Sequence, residues 1–385
     1  MAPSRNTLLR LLVAFAATFG IGYLPYMLSP LVIGALVGKL GLDEAQAGRI
    51  ATAELLMFAF SQILLAPYIA RLSRKNLAGL GGGIALLGHL LAAASGSYLA
   101  VLGSRLIAGL GEGIAVASGL ALIASAAAPQ RMFAGVFTLG QLQAAGFLTL
   151  LPDAVQRWGH SGGYGLLALW ATLMVVLILV LPGDEAAAPP ESGPVRRARL
   201  RVFLAPSVLT MALVGASDGA IWTFTERIAE SIGMDAQATG VVLSVALVAG
   251  VVGSALSGVV GQRLGTTTPI VTGMLVWAAC CYSITHASGS ASYASAQIVY
   301  LFSFAFVVPF LYGLNGEIDP TGRTMVAASG CYLIGMALAP GASGSVIVAS
   351  GFATLGWIVF VTLVVATILF SNVAWRRDTL PTQSR

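Results

Sequence analysis

Apolar residues in this chain gather into long runs separated by short polar breaks. Six runs, at about 9–37, 46–70, 77–95, 98–126, 132–152 and 162–182, precede one long polar stretch. Six more follow it, at about 203–229, 237–261, 267–287, 293–316, 324–349 and 352–375. Each is close to the roughly 20 residues an α-helix needs to cross the hydrocarbon of a bilayer. The pattern predicts an all-α membrane protein of twelve transmembrane helices. The stretch Gly183–Val202, GDEAAAPPESGPVRRARLRV, is rich in Pro, Glu and Arg and cannot bury a core, so it reads as a solvated linker. The expected organisation is a six-helix bundle over 1–182, a cytoplasmic linker over 183–202 and a second six-helix bundle over 203–385.

The two halves share more than a run count. LGLDEAQAG begins at Leu40 and IGMDAQATG at Ile232, an offset of 192 residues that superposes Gly41 on Gly233, Asp43 on Asp235 and Gly48 on Gly240. The same offset carries Arg71 onto Arg263 and Arg131 onto Arg323. Three loops agreeing on one offset point to a duplicated six-helix unit. An even number of spans gives both copies the same topology, so they relate by an axis along the membrane normal.

Composition supports lipid as the main solvent. The chain is 57% hydrophobic and only 9% charged, with a mean hydropathy of +0.88. A soluble domain carries about 25% charged residues. The net charge of +5 does not mark a nucleic-acid partner, because the basic residues sit in the gaps between runs and not on one face. With the N-terminus placed in the cytoplasm, fifteen of the 20 Lys and Arg residues fall on the cytoplasmic side, four fall outside, and Arg105 lies within a span. The positive-inside rule then puts both termini in the cytoplasm. The run from Leu11 to Val37 is too long for the h-region of a signal peptide and reads as the first membrane helix. Cys280, Cys281 and Cys331 lie inside apolar runs with no spacing suited to disulfides or a metal.

Several short motifs resemble the major facilitator superfamily, and the resemblance covers nearly the whole chain. The loop GVVGQRLG (Gly258, Arg263, Gly265) is similar to that family's G-x-x-x-D-R-x-G signature, with Gln262 at the acidic position. The first-half copy, APYIARLSRK, keeps Arg71, Arg74 and Lys75 but has Ala66, Ala70 and Ser73 where the first Gly, the Asp and the second Gly would stand. RLIAGLGEG in span 4 resembles the R-x-x-x-G-x-G pattern at Arg105, Gly109 and Gly111. GMALAPGASG in span 11 looks like the Gly-Pro motif that antiporters of the family carry in span 5, while span 5 here has no such proline. The resemblance implies two six-helix bundles around a central cavity, alternating access, and a cavity lined by spans 1, 4, 7 and 10.

Ionisable residues inside spans are candidates for function, because a charge at mid-bilayer costs several kcal/mol unless paired or wetted. Asp218, in VGASDGAIWTF of span 7, is flanked by small residues and stands where the first half has Tyr26. With Glu54 of span 2 and Glu112 of span 4 it forms the candidate proton-coupling set. Arg105 and Glu112 are seven residues apart, hence on one helix face, and are expected to form a cation-and-carboxylate strip on the cavity wall. The candidate substrate contacts are Arg105, Tyr23, Tyr26, Gln141, Trp222, Tyr312 and Asn315. Arg71, Arg263 and Glu317 are candidate gate residues at the cytoplasmic face. His89, His160 and His286 have no ligand-like spacing and receive no role.

The chain shows no Walker loop, so an ion gradient or the solute's own gradient is the expected energy source. The expected function is secondary active transport of a small organic solute: an amphipathic or aromatic compound, an organic acid or a drug. Transport is expected to be coupled to protons and to need no cofactor or metal. An uncoupled uniporter and a non-transporting membrane sensor are the alternatives. Direction, and symport against antiport, stay open. The expected setting is a monomer in a bacterial cytoplasmic membrane.

Overall fold

A computed structural model describes residues 5–42, 44–180 and 194–379, with some side chains inside helices excepted, that of Arg263 among them. Among these residues the chain is helical and contains no strand. The elements are α1 (Arg5–Leu40), α2 (Glu44–Leu65), α3 (Arg74–Ala94), α4 (Tyr98–Ala124), α5 (Pro129–Trp158), α6 (His160–Val180), α7 (Pro194–Ser231), α8 (Ala236–Leu264), α9 (Thr267–Thr285) and α10 (Ser290–Ile318). The last helical stretch, Arg323–Thr379, is two helices meeting at Gly351, whose φ of 79° and ψ of 175° no α-helix contains. We label them α11 (323–350) and α12 (352–379). Nine helices among the described residues are long and apolar enough to cross a membrane, counting α11 and α12 together, and ten if the two arms of α5 form one bent span.

The duplication seen in the sequence returns in the backbone. Gly41 (φ 61°) ends α1 and Gly233 (φ 83°) follows α7, both in the left-handed region that glycine adopts without strain. Asp235 then caps α8 by accepting from the Ala238 backbone N–H at 2.7 Å. Its counterpart Asp43 lies outside the described residues. At the same offset, Gly159 (φ 62°) joins α5 to α6 and Gly351 joins α11 to α12. The shared polar loop is therefore a helix stop followed by a helix start.

The boundaries differ from expectation in three places. α2 stops at Leu65, and a short 3-10 turn, Ile69–Arg71, leads to α3. α5 runs on to Trp158 and bends by 43° between its two arms; Pro152, which lacks an N–H for the ladder, lies just past the bend. α7 begins at Pro194, so the second half of the polar stretch is helical. Proline suits the first helical position, and VRRARLR is made of good helix formers.

The chain divides into two compact units. One comprises Met1–Ala126, Val136–Glu191 and Pro320–Gly330; the other comprises Ala127–Gly135, Ser192–Asp319 and Cys331–Arg385. In the first unit α4 is the central helix, packed by α1, α2 and α3, and 78% of its apolar window is buried against 39% for α3. Leu24, Leu28, Leu151 and Leu167 form one apolar cluster there, and Ala17, Ile21, Ala85 and Ala115 another. In the second unit α10 is packed by α7, α8 and α9. Val241, Val245, Val248, Val252 and Val259 lie exposed along one stripe of α8, an arrangement that water would penalise and acyl chains accommodate.

Candidate functional site

Among the described residues each unit holds a buried centre built on carboxyl groups. In the first, glycines bring the helices together. A side chain at Gly109 of α4 would strike the Glu54 backbone of α2, and one at Gly111 would strike the Ala85 and Gly81 backbone of α3. The glycines of RLIAGLGEG thus let α4 seat directly on α2 and α3. That close approach brings Glu54, His89, Arg105 and Glu112 to one point.

Arg105 is 1% exposed and holds Glu54 with two bonds: Nε donates to Oε2 at 2.9 Å, and Nη2 donates to Oε1. This fork is the stronger form of a charge-assisted hydrogen bond. Nη1 donates to Nδ1 of His89 at 3.0 Å, and Nη2 lies 3.5 Å from Oε1 of Glu112. The guanidinium carbon sits 4.9 Å over the ring of Tyr164 of α6. A guanidinium has no acceptor, so Nδ1 of His89 must accept. His89 is therefore neutral, with its hydrogen on Nε2, which faces Oε1 of Glu112 at 3.7 Å. Glu112 is wholly buried; its Oε2 meets no N–H or O–H donor, and the Glu54 carboxyl lies within hydrogen-bond reach of it. The centre thus sets one cation among two carboxyl groups, with one of them incompletely bonded.

The second centre is built on Asp218, 5% exposed on α7. Tyr300 of α10 donates to its Oδ1 at 2.7 Å, and Tyr332 of α11 donates to its Oδ2 at 2.6 Å. Close packing again explains the meeting. Side chains at Gly215 and Gly219 of α7 would strike the Tyr332 and Met336 backbone, and one at Gly335 of α11 would strike that of Ala212. Among the described residues no cation pairs with Asp218.

Of the sequence candidates, Arg105, Glu54 and Glu112 come together, and Asp218 stands in the other unit. Arg105, Glu112 and Asp218 are buried within their own units, at 1%, 0% and 5% exposure. Tyr23 stacks on Phe19 at 4.8 Å and shares a 3.1 Å hydrogen bond with Ser329. Tyr26 and Trp222 are half-buried, and Gln141 is buried. Tyr312 stacks on Phe133 at 4.4 Å. Asn315 accepts from Ser207, tying α10 to α7. Arg71 and Glu317 are exposed, and the side chain of Arg263 lies outside the described residues.

The sequence reading missed His89, Tyr164, Tyr300 and Tyr332. One signal for His89 was available: it and Arg105 are equidistant from Ser97, the cap of α4, so an antiparallel helix pair brings them to one depth. Under the 192 offset, Glu54, His89, Arg105 and Glu112 fall on Ala246, Cys281, Gln297 and Phe304, and Asp218, Tyr300 and Tyr332 on Tyr26, Ala108 and Gly140. Neither centre is repeated in the other half, so the fold itself requires neither.

The sequence model of the Major Facilitator Superfamily matches residues 11–314. No curated protein matches the chain in sequence. Among solved structures, the E. coli fucose:proton symporter FucP is similar with a TM-score of 0.75 at 17% identity, over 94% of this chain and 98% of that one. The proton:xylose symporter XylE gives 0.79 at 13% identity, over 97% and 96%. The human organic anion transporter MFSD10 gives 0.76 at 15% identity, over 96% and 100%. At these identities the likeness is one of fold, and it extends past residue 314 to α11 and α12. The sequence match, the all-helical architecture and the shared fold agree: the chain belongs to the Major Facilitator Superfamily.

Proposed function

We propose that this integral membrane protein is a secondary transporter that moves a small organic solute by alternating access, coupled to protons. The observation that carries the reading is Glu112: a wholly buried carboxyl beside an arginine already committed to Glu54, within hydrogen-bond reach of that second carboxyl and with one oxygen that meets no donor. An ionised pair of carboxyls facing one cation leaves an unbalanced buried charge. A proton on Glu112 balances it, and release of that proton changes the charge of the centre. Glu54 holds Arg105 in place, and Asp218 is the second exchanging group.

The solute class we propose is an amphipathic or aromatic compound, an organic acid or a drug. Tyr23, Tyr26, Gln141, Trp222, Tyr312 and Asn315 are the proposed contacts, with apolar walls and few polar groups. Arg105 is the remaining proposed contact; its own partners already engage it, so it takes an anionic solute only by exchanging them. Arg71, Arg263 and Glu317 are the proposed cytoplasmic gate. The setting is a bacterial cytoplasmic membrane with both termini inside, all twelve helices crossing it, and the chain acting as a monomer. The proposed bundles are 1–182 and 203–385, joined by the segment 183–202.

A thermal-shift screen of the purified protein against metabolites and drugs, run at two pH values, finds the solute. Flux of the hit is then followed in proteoliposomes with and without a pH gradient. The reading requires flux that responds to the gradient and loses that response in Glu112→Gln. Gradient-independent flux in the wild type leaves a uniporter.

A further inference from the structure

We propose that Tyr300 and Tyr332 act as positioning residues that fasten the ionised form of Asp218, and that protonation of Asp218 releases Tyr332 and so loosens α11 from α7. The inference rests on the reading of Asp218 as a proton-exchanging group.

Donor and acceptor counting carries the argument. Ionised, Asp218 accepts one hydroxyl on each oxygen, at 2.7 Å from Tyr300 and 2.6 Å from Tyr332. A carboxylate only accepts and a phenol has one hydrogen, so two hydrogens fill two contacts. Protonation brings a third hydrogen to the same two contacts. The protonated oxygen then either donates to its tyrosine, which must turn its own hydrogen to another acceptor, or accepts through its remaining lone pair in a neutral bond weaker than the charge-assisted one; either way one of the two contacts weakens. Tyr300 is wholly buried and its ring packs on Trp277, whereas Tyr332 is 7% exposed. The less tightly enclosed ring moves at the lower cost, so Tyr332 is the one that lets go.

The surroundings isolate this switch. From α9, the Cys281 thiol lies close enough to Asp218 to feel its charge. α8 carries no ionisable residue before Arg263 at its far end, and α12 none before Arg376. On α7 itself, Glu226 and Arg227 lie two turns away and are exposed. The link is structural as well as chemical. Gly215 and Gly335 bring the α7 and α11 backbones into close approach, and the Tyr332 bond lies at that crossing. The first half has no such clamp, since Tyr26, Ala108 and Gly140 stand at the equivalent positions.

The test uses the full chain in lipid nanodiscs. Infrared pH titration between about pH 4 and pH 9 follows the protonated-carboxyl band. Hydrogen–deuterium exchange of the peptides carrying Tyr300 and Tyr332 is measured on either side of the midpoint and corrected for the intrinsic pH dependence. The expected result is a band lost in Asp218→Asn and an α11 exchange rate about tenfold higher on the acid side in the wild type. In Asp218→Asn and in Tyr332→Phe the α11 peptide exchanges at the fast rate on both sides. A band sensitive to Asp218→Asn with α11 exchange equal on both sides overturns the clamp and leaves Asp218 as a proton carrier. No band sensitive to Asp218→Asn in that range removes Asp218 from proton exchange, and the clamp with it. Should Asp218→Asn not fold, Tyr332→Phe decides: a retained pH response of α11 exchange overturns the clamp.

Discussion

Neutralising Glu54 tests the first polar centre most sharply. Glu54→Gln keeps the size of the side chain and removes the charge that answers Arg105. Arg105 is 1% exposed, so water does not replace the lost partner. Breaking a buried ion pair by removing one member costs about 3–5 kcal/mol. Glu112 remains 3.5 Å away and supplies part of the compensation, which places the expected loss near the lower end, about 3 kcal/mol. Glu112→Gln removes only the weaker contact, and about 1 kcal/mol is expected. Replacing both members of the main pair by leucine leaves neither charge unanswered by the other. Glu54→Leu with Arg105→Leu should therefore cost less than either change alone, with a coupling of at least about 2 kcal/mol. Equilibrium unfolding by SDS in mixed micelles measures the wild type, the two glutamine variants, the two single leucine variants and the double variant. A Glu54→Gln protein within about 0.5 kcal/mol of the wild type, or single losses that simply add, would refute the ion-pair account.

Three further outcomes follow from the geometry. Gly351→Ala forces a side chain into a φ of 79° and should cost about 1–2 kcal/mol, whereas Gly83→Ala, in open space on α3, should be neutral or slightly stabilising; equal effects in the same SDS assay would count against the backbone reading. Nitrogen NMR of ring-labelled protein should find His89 neutral with its hydrogen on Nε2, and an imidazolium or the Nδ1–H tautomer would contradict the bond from Arg105. Single cysteines introduced at positions 48 and 240 of a variant without native cysteines should label with an impermeant maleimide from outside intact cells, and one at position 188 only after permeabilisation. Any other sidedness rejects the proposed orientation.

Hydropathy made the helices and their duplication legible, because a bilayer demands long apolar runs whatever their neighbours. The stop and start chemistry was legible too, since Gly41, Gly233 and Asp235 act through their own local backbone. The composition of the central stretch suggested solvation and hid its helix, because arginine is both strongly polar and a good helix former. Depth was readable and direction was not. A lone acid in a span marks a buried charge, but which helix it faces depends on packing between residues such as Glu54 and Arg105, 51 positions apart. The same holds for Tyr332, whose hydroxyl counts only because Gly215 lets α7 approach its backbone. A strip of Arg105 and Glu112 on a cavity wall was expected from helix periodicity, and both side chains are buried. The glycines between them, visible in the sequence, instead draw α2 and α3 over that face.

The most direct test of proton-coupled transport is a pH-indicator dye sealed inside proteoliposomes that contain the purified chain. With the solute found by the thermal-shift screen added outside and no imposed gradient, the dye should report proton movement in step with solute flux. Glu112→Gln should abolish the dye signal. Solute entry without any change in internal pH, or an unchanged signal in Glu112→Gln, would contradict the account.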